Sequence, residues 1–345
     1  MKTKLTISAL SCFTPDIKTH TNSLGSVQHR SYGHMLDKAG HQSRPSHVPR
    51  GVTTIRCDEY RTPTAETETR VGDLASFAVQ HCLQNYPNGK NIKHLFHTQC
   101  TLDQRITASS CLQLVHEHFA PKQAGYECFD VISPVTIGQL ATAGLPTVFR
   151  LADSVQHEGQ ICISASDKWI APIARYFPNL VTYADAGAAC IAGHSDHVLE
   201  PIATIEAVQL LCRPPGRDLW QTSAETQAEF IVDLVTACLD RLSKEMGGLS
   251  NDIKLIGDHY VPLVEQNIAA KSGFPLLRQP EESASHWSSA SMLYSLSRAV
   301  EYAVETKTPQ RIAIWTASPS GHAGVVLVRC SDMARKTESG WTHAQ

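Results

Sequence analysis

The chain has 345 residues, of which 42% are hydrophobic and 18% are charged, and its formal net charge is −3. This balance is typical of a folded globular protein and argues against intrinsic disorder. A weakly acidic chain gives no electrostatic reason to expect binding to nucleic acid or to an anionic membrane. No apolar run approaches the roughly 20 residues that a membrane-spanning helix needs.

The spacing of the cysteines and histidines indicates the cellular compartment and whether a metal site is expected. The 11 cysteines are odd in number, scattered, and never spaced as a CxxC pair. We therefore expect reduced, mostly buried thiols in a cytoplasmic protein, with neither a disulfide framework nor a zinc site. His116/His118 and His194/His197 are not joined by a second ligand pair at the required spacing, so no metal site is expected.

Strands and helices alternate through the first part of the chain. The patterns predict strands at 4–13, 92–98, 126–132, 160–165 and 188–192, and helices at 72–86, at 105–119 and from Leu145 onward. Residues 16–62 are polar and show little periodicity, which predicts a long irregular insertion, either a lid or an exposed loop.

The second part repeats this rhythm. Strands are predicted at 202–212, 253–256, 311–316 and 324–329, and helices at 224–246, before Gly273, and at 285–305. The alternation favours an α/β fold of two similar halves, 1–200 and 201–345.

A crowded elbow precedes the helix that starts near Leu145. Its residues are Ala141-Thr142-Ala143-Gly144-Leu145. Such an elbow presents one short side chain at a helix N-terminus, where backbone N–H groups favour developing negative charge. The side chain at this position is that of Thr142.

Five short segments follow one another in an informative order. They are Phe129-Asp130-Val131, the elbow, Tyr-Ala-Asp-Ala-Gly-Ala-Ala (183–189), Gly-Asp-His (257–259) and Ser-His-Trp-Ser-Ser-Ala-Ser (285–291). In this order they resemble the thiolase-fold ketosynthases of the ketoacyl-ACP synthase III-like group. The resemblance spans nearly the whole chain and implies the thiolase fold, with two similar halves in a layered αβαβα arrangement.

The chain departs from the catalytic Cys/His/Asn set of that family. Thr142 stands at the cysteine position, and a threonine hydroxyl needs a partner base to act as a nucleophile. Asp258, with His259 beside it, stands where the family has histidine, and His286 stands at the asparagine position. The resemblance therefore implies that Thr142, Asp258, His259 and His286 share one pocket.

Each of these residues has alternatives. Thr142 is either a nucleophile or the remnant of an abandoned cysteine site, with Ser133 and Thr136 as other hydroxyls. His259 and His286 are bases or hydrogen-bond donors, and Asp258 either orients a histidine or caps the next helix. Outside this set, Cys100 is a rival nucleophile, Asp185 and Gly187 are assigned to structure, and the turn 318–324 is a source of a backbone N–H for an oxyanion.

The resemblance implies an acyltransferase or divergent ketosynthase of secondary metabolism. Its substrate would be an acyl thioester on coenzyme A or on the phosphopantetheine arm of an acyl carrier protein, with no bound cofactor. The protein would form a homodimer, or a heterodimer with a related ketosynthase. Two alternatives remain: a catalytically silent thiolase-fold partner of an active ketosynthase, and a thioester hydrolase.

Overall fold

The structure is a computed structural model. The residues that it describes are 4–15, 17–22, 25–30, 52–57, 60–65, 70–86, 92–100, 110–119, 133–138, 144–154, 159–168, 176–177, 179–194, 201–214, 222–250, 252–277 and 286–332.

The first group of strands forms half of a nine-stranded sheet. In spatial order its strands are β7 (Ser133–Gly138), β6 (Ile92–Gln99), β8 (Gln160–Asp167), β11 (Ala186–His194) and β1 (Leu5–Phe13). β6 runs parallel to both of its neighbours, whereas β8, β11 and β1 are antiparallel in turn.

The second group repeats this order from the other end of the sheet. Its strands are β13 (Lys254–Ile256), β14 (Gln310–Ser318), β15 (His322–Cys330) and β12 (Ala203–Cys212). Here too one parallel pair is followed by antiparallel pairs. The two groups meet where Thr6 and Ile7 of β1 pair with Thr204 and Ala203 of β12. The order β6-β8-β11-β1 thus recurs as β13-β14-β15-β12, and two similar halves are present.

Six α-helices lie in the described part of the chain. They are α1 (Val71–Gln84), α2 (Ser110–Leu114, continued by a π-helical turn Val115–Phe119), α3 (Gly144–Ser154), α4 (Ala224–Glu245), α5 (Pro262–Ser272) and α6 (Ser291–Thr306). Ser223 caps α4, because its hydroxyl accepts a hydrogen bond from the Thr226 N–H at 3.2 Å.

Alternate residues of the strands face different cores, which defines the layers. On β14, Ile312 and Ile314 face a central core that contains α3 and α6, while Ala313 and Trp315 face a core with α4 and α5. The residues of β8 divide in the same way between the central core and a third core beneath α1 and α2. Helix and sheet layers therefore alternate as αβαβα, which confirms the architecture that the resemblance implies.

Close backbone packing fixes the outer layer of the first half. A Cβ atom at Gly187 of β11 would lie 2.1 Å from the carbonyl oxygen of Leu74 in α1. Glycine is therefore required there for the helix to approach the sheet, as expected for a structural residue. Asp185, also assigned to structure, is fully buried.

Two expectations need correction. Segments of the supposedly irregular insertion are strands: β2 (Ile17–Asn22) pairs with β5 (Tyr60–Ala65), and β3 (Gly25–Arg30) pairs with β4 (Val52–Cys57). One antiparallel register runs through both pairs.

The strand expected at 126–132, including Phe129–Val131, lies outside the described residues. The described strand on that side of β6 is Ser133–Gly138, which was not among the predicted strands.

The remaining helices and strands overlap their predicted ranges, but α6 begins at Ser291, after a 3-10 turn at Ser288–Ala290, and not at 285. Two short strands, β9 (Tyr176–Phe177) and β10 (Val181–Thr182), form a separate pair. The eight cysteines whose side chains the structure describes are free thiols, and of these only Cys212 is exposed. In the described part of the chain, every helix is too short or too polar to cross a bilayer.

Candidate functional site

His286 is fixed in the interior by its own backbone. Its N–H donates to the Thr182 carbonyl at 2.7 Å, and its carbonyl accepts from the Ala184 N–H at 3.0 Å. Tyr183, between these two residues, and Tyr260 pack their rings edge-on against the imidazole, with centroids 5.1 and 5.2 Å away. The ring is therefore held in one orientation between β10 and the chain that follows β13.

The tautomer of His286 follows from its hydrogen bonds. Its Nδ1 accepts the backbone N–H of Ser288 at 2.9 Å, which Ser288 presents with a positive φ of 46°. An Nδ1 atom that accepts carries no proton, which assigns the proton of the neutral ring to Nε2. Burial lowers the pKa of His286 to about 3. At neutral pH the ring is uncharged and Nε2–H is a hydrogen-bond donor.

Asp258 lies beside this donor. Its Oδ2 accepts hydrogen bonds from the Thr316 hydroxyl at 2.5 Å and the Ala317 N–H at 2.8 Å. The same Oδ2 lies 3.7 Å from Nε2 of His286. Burial raises the pKa of Asp258 well above its ordinary value. The capping role is excluded, because α5 is preceded by Val261 as its N-cap residue, without a side-chain cap.

His259 lies next to this pair in an unusual backbone conformation. Its φ is +58°, which a residue other than glycine rarely adopts. Its ring meets Trp287 edge-on at 4.5 Å, and Trp287 stacks on Tyr294 at 4.2 Å. His259 is close enough to His286 for its charge to lower the pKa of that ring. The structure therefore brings Asp258, His259 and His286 together.

A second group of polar residues ties β6 and β8 to the segment before α6. Oδ1 of Asp167 accepts the Cys100 N–H at 2.7 Å, and its Oδ2 accepts the Ser289 N–H at 2.8 Å and the Ser289 hydroxyl at 2.5 Å. Asp167 and Ser289 were missed as site residues in the sequence. The available signal was that Asp167 ends a buried strand at the sheet edge where parallel β6 also ends.

Cys100 lies near the site but is poorly suited to nucleophilic attack. Burial, reinforced by the charge of Asp167, raises the pKa of its thiol well above the ordinary value. Because the thiolate is the nucleophilic form, a thiol held protonated is weakly reactive. The geometry thus gives little support to Cys100 as the rival nucleophile.

Thr142 lies outside the described residues, but the start of the next helix does not. A Cβ atom at Gly144 would lie 2.1 Å from the Thr98 hydroxyl oxygen, so α3 begins in close contact with the end of β6. Ser133 and Thr136 belong to β7, where they pair with His94 and His97. They therefore lie along a strand and not at an elbow.

The turn between β14 and β15 closes the second half of the sheet. Gly321 has a φ of +94°, and its N–H donates to the Ser318 carbonyl at 2.9 Å. A Cβ atom at Gly324 would lie 2.5 Å from Pro146 of α3. The hairpin therefore packs against the helix that follows the elbow. Among the residues described, no cluster of three or more His, Cys, Asp or Glu side chains is arranged to hold a metal ion.

Glu265, in the first turn of α5, makes the stability of the folded protein depend on pH. Burial raises the pKa of its carboxyl from 4.5 to about 7. The folded protein holds this proton more tightly than the unfolded chain does, so stability falls as pH rises from about 4.5 to about 7 and then levels off. We expect Glu265→Gln to melt like the wild type near pH 4 and above it near pH 8.

Thermal midpoints at about pH 4, 6 and 8 test this prediction. Glu225→Gln is the control, because hydrogen bonding lowers the pKa of that exposed carboxyl, so its substitution should be slightly destabilising at pH 8. A difference between Glu265→Gln and the wild type that does not change with pH would contradict the assignment.

Comparisons with known proteins find similarity in structure alone. No protein-family profile matches the chain, and no curated protein matches it by sequence. Among solved structures, ChlB3, described as an acyltransferase, is 16% identical with a TM-score of 0.62 and covers 96% of this chain and 99% of its own. A variant of OleA from Xanthomonas campestris is 12% identical with a TM-score of 0.67, covering 95% and 98%.

A third structure is 3-oxoacyl-(acyl carrier protein) synthase III, FabH, from Pseudomonas aeruginosa PAO1. It is 12% identical with a TM-score of 0.63, and the match covers 95% of this chain and 98% of FabH. At such identities the likeness concerns the fold. Together with the repeated sheet order and the five layers, it shows that the chain has the α/β thiolase fold that it shares with these enzymes.

Proposed function

We propose that the protein transfers an acyl group from a thioester, carried on coenzyme A or an acyl carrier protein, to an acceptor. The observation that carries this proposal is the convergence of Asp258, His259 and His286 on one buried point, although His286 is distant in sequence. The thiolase fold supports it, because the similar structures include an acyltransferase and a 3-oxoacyl-(acyl carrier protein) synthase III.

The residues divide the chemistry between them. His286 donates a hydrogen bond from Nε2, and His259 is the residue that we assign to remove a proton from the attacking group. The acyl group passes first to Thr142 or directly to an alcohol or amine. Without a cysteine at the elbow, and with a protonated Cys100, we favour oxygen or nitrogen acyl transfer over decarboxylative carbon–carbon condensation.

The setting follows from the same proposal. The protein would act in the cytoplasm, in polyketide-type secondary metabolism, with no bound cofactor. The pantetheine arm of the thioester would enter between the halves 1–200 and 201–345. A homodimer, or a heterodimer with a related ketosynthase, would be the working assembly.

Single alanine variants test the proposal. His286→Ala and His259→Ala are compared with the wild type for transfer from a panel of acyl-CoA and acyl-carrier-protein thioesters to alcohols and amines. We expect each variant to lose about 100-fold or more, as for removal of one proton-transfer or oxyanion group. Phe77→Ala, on the outer surface of α1, is the control. Unchanged rates in both variants would remove the histidines from the mechanism.

The alternative of a silent partner subunit predicts a different result. A wild-type protein that transfers nothing, gains no acyl adduct by intact mass, and co-purifies with a cysteine-containing relative would favour that role.

A further inference from the structure

A serine, a glutamate and a histidine meet in the outer helix layer of the first half of the chain. Ser76 belongs to α1, and Glu117 and His118 belong to the π-helical turn that continues α2. Oγ of Ser76 lies 2.5 Å from Oε2 of Glu117 and 2.8 Å from Nε2 of His118. A hydroxyl within hydrogen-bond reach of a base is the arrangement of an activated nucleophile, and π-helical turns are frequent at functional sites.

The single hydrogen of the Ser76 hydroxyl decides which neighbour is the base. A carboxylate oxygen carries no hydrogen and can only accept, so the hydroxyl donates to Glu117. Nε2 of His118 must then be the protonated nitrogen of the ring and donate to Oγ. Burial lowers the pKa of His118, so the ring is neutral at neutral pH. Glu117 is therefore the base, and the N–H of His118 stabilises negative charge on Oγ as the proton leaves.

A third side chain orients the base. Gln113, one turn earlier in α2, is 9% exposed and donates from Nε2 to Oε1 of Glu117 at 2.9 Å. Its Nε2 also donates to Oδ1 of Asp73 on α1 at 2.6 Å, so both amide hydrogens are used. Because Oε1 of Glu117 is held in this way, Oε2 is turned toward Ser76. A nucleophile, a base and a residue that orients the base are the parts of a hydrolytic triad.

The exposure of these groups places them at the boundary between the core and solvent. The side chain of Glu117 is 39% exposed and that of His118 is 13% exposed, whereas Ser76 is 8% exposed. A small substrate can therefore approach along the exposed side of Glu117, while Oγ is held mostly away from bulk water.

We propose that Ser76 is the nucleophile of a second catalytic site, which hydrolyses small carboxylic esters with Glu117 as general base and His118 as hydrogen-bond donor. An ester fits because its carbonyl carbon accepts a hydroxyl nucleophile and its alcohol leaves with the proton that Glu117 has taken. The site uses none of the residues assigned to acyl transfer, so this activity goes beyond the proposed function and does not depend on it.

The bonds balance in two steps. Oγ of Ser76 adds to the ester carbonyl carbon as its proton passes to Oε2 of Glu117. The C=O bond re-forms, the bond to the alcohol oxygen breaks, and the alcohol leaves with that proton. In the second step water adds to the acyl-serine carbon and gives a proton to Glu117. The bond to Oγ then breaks, Ser76 regains the proton, and the carboxylic acid leaves.

An irreversible probe tests the nucleophile without any substitution. The purified wild-type protein is treated with an alkyl fluorophosphonate, whose phosphorus is attacked by an activated serine hydroxyl with loss of fluoride. The adduct is located by peptide mass mapping, and we expect label on Ser76. Label confined to other residues, or no label at all, would overturn the proposal.

Two glutamine substitutions distinguish the base from the donor, with the rate of Ser76 labelling as the readout. Glu117→Gln keeps an oxygen that accepts from Ser76 but cannot take its proton, so labelling should be about 100-fold slower or more. His118→Gln keeps an N–H that donates to Oγ, so labelling should stay within about tenfold of the wild-type rate. Any other order of the two rates would contradict these roles.

Ser76→Ala shows whether the labelled serine turns over an ester. Hydrolysis of p-nitrophenyl acetate should fall about 100-fold or more, as for loss of a catalytic nucleophile. The matched control is Ser297→Ala on α6, because the hydroxyl of Ser297 lies 3.5 Å from Oε1 of Glu301, too far for effective activation. The control should hydrolyse the ester at the wild-type rate. Equal rates in Ser76→Ala and the wild type would overturn the proposal even if the probe labels Ser76.

Discussion

Asp167→Asn should destabilise the folded protein by about 3 kcal/mol, because a buried donor then loses its acceptor. Asp167 uses both oxygens to accept, one from the Cys100 N–H and the other from the Ser289 N–H and hydroxyl. An asparagine amide group placed in either orientation turns its NH2 toward a backbone N–H. The end of β6 and the segment before α6 should then separate, and acyl transfer should fall with them.

Urea denaturation measures this effect, and Ser289→Ala is the matched control. The control removes the hydroxyl, which donates to Asp167 and also lies 3.3 Å from the carbonyls of Thr98 and Ser166, and it leaves both backbone donors paired, so it should cost about 1 kcal/mol. Labelling at Cys100, mapped by peptide mass, should be faster in Asp167→Asn. Equal stability of the two variants would show that Asp167 does not hold these segments together.

Gly257→Ala should cost about 3 kcal/mol and also displace Asp258, because there is no room for the added methyl group. A Cβ atom at position 257 would lie 1.9 Å from the indole ring of Trp315, which is fully buried and stacks on Tyr260. The carbonyl of Gly257 is held by the Ser295 hydroxyl at 2.8 Å. We therefore expect the backbone to shift at the residue before Asp258, and thiol release to fall about tenfold or more.

The control for this substitution is Gly273→Ala at the other end of α5. Gly273 has a φ of +77° and open space around it, so alanine there costs about 1 kcal/mol through backbone strain alone. Combining Gly257→Ala with Trp315→Leu should cost less than the sum of the two single changes. Additive effects in denaturant melts would argue against a clash between these two residues.

The sequence predicted most of the layered fold because periodicity and small residues mark its helices and strands. The helix at 224–246 is a clear case: its predicted bounds differ by one residue from Ala224–Glu245. The ribbon that occupies part of 16–62 was not predicted, because its strands pair with distant partners, from Arg30 with Val52 to Ile17 with Ala65, and polar strands show no hydrophobic alternation. Strand β7 was not among the predicted strands, and it begins with Ser133-Pro134, where a proline argues against a strand.

The resemblance placed Thr142, Asp258, His259 and His286 in one pocket. Thr142 lies outside the described residues, and the structure brings the other three close together, while their catalytic roles stay predictions. The partners of Asp258 were not predictable, since Thr316 and Ala317 reach it through the parallel pairing of β13 with β14. The proton of His286 is on Nε2 because Ser288, with a positive φ, presents its N–H to Nδ1. The local sequence does not indicate that backbone conformation.

The central claim is that the buried pair of Asp258 and His286 acts on an acyl thioester. The most direct measurement is the rate of free thiol release from acyl-CoA and acyl-carrier-protein thioesters by the purified wild type and by the double variant Asp258→Leu/His286→Leu, with folding checked by circular dichroism. We predict release by the wild type and a loss of about 100-fold or more in the folded double variant, since the Nε2–H donor of His286 and its neighbour Asp258 are both removed. Release at the wild-type rate by the double variant, or no release by the wild type, would contradict the claim.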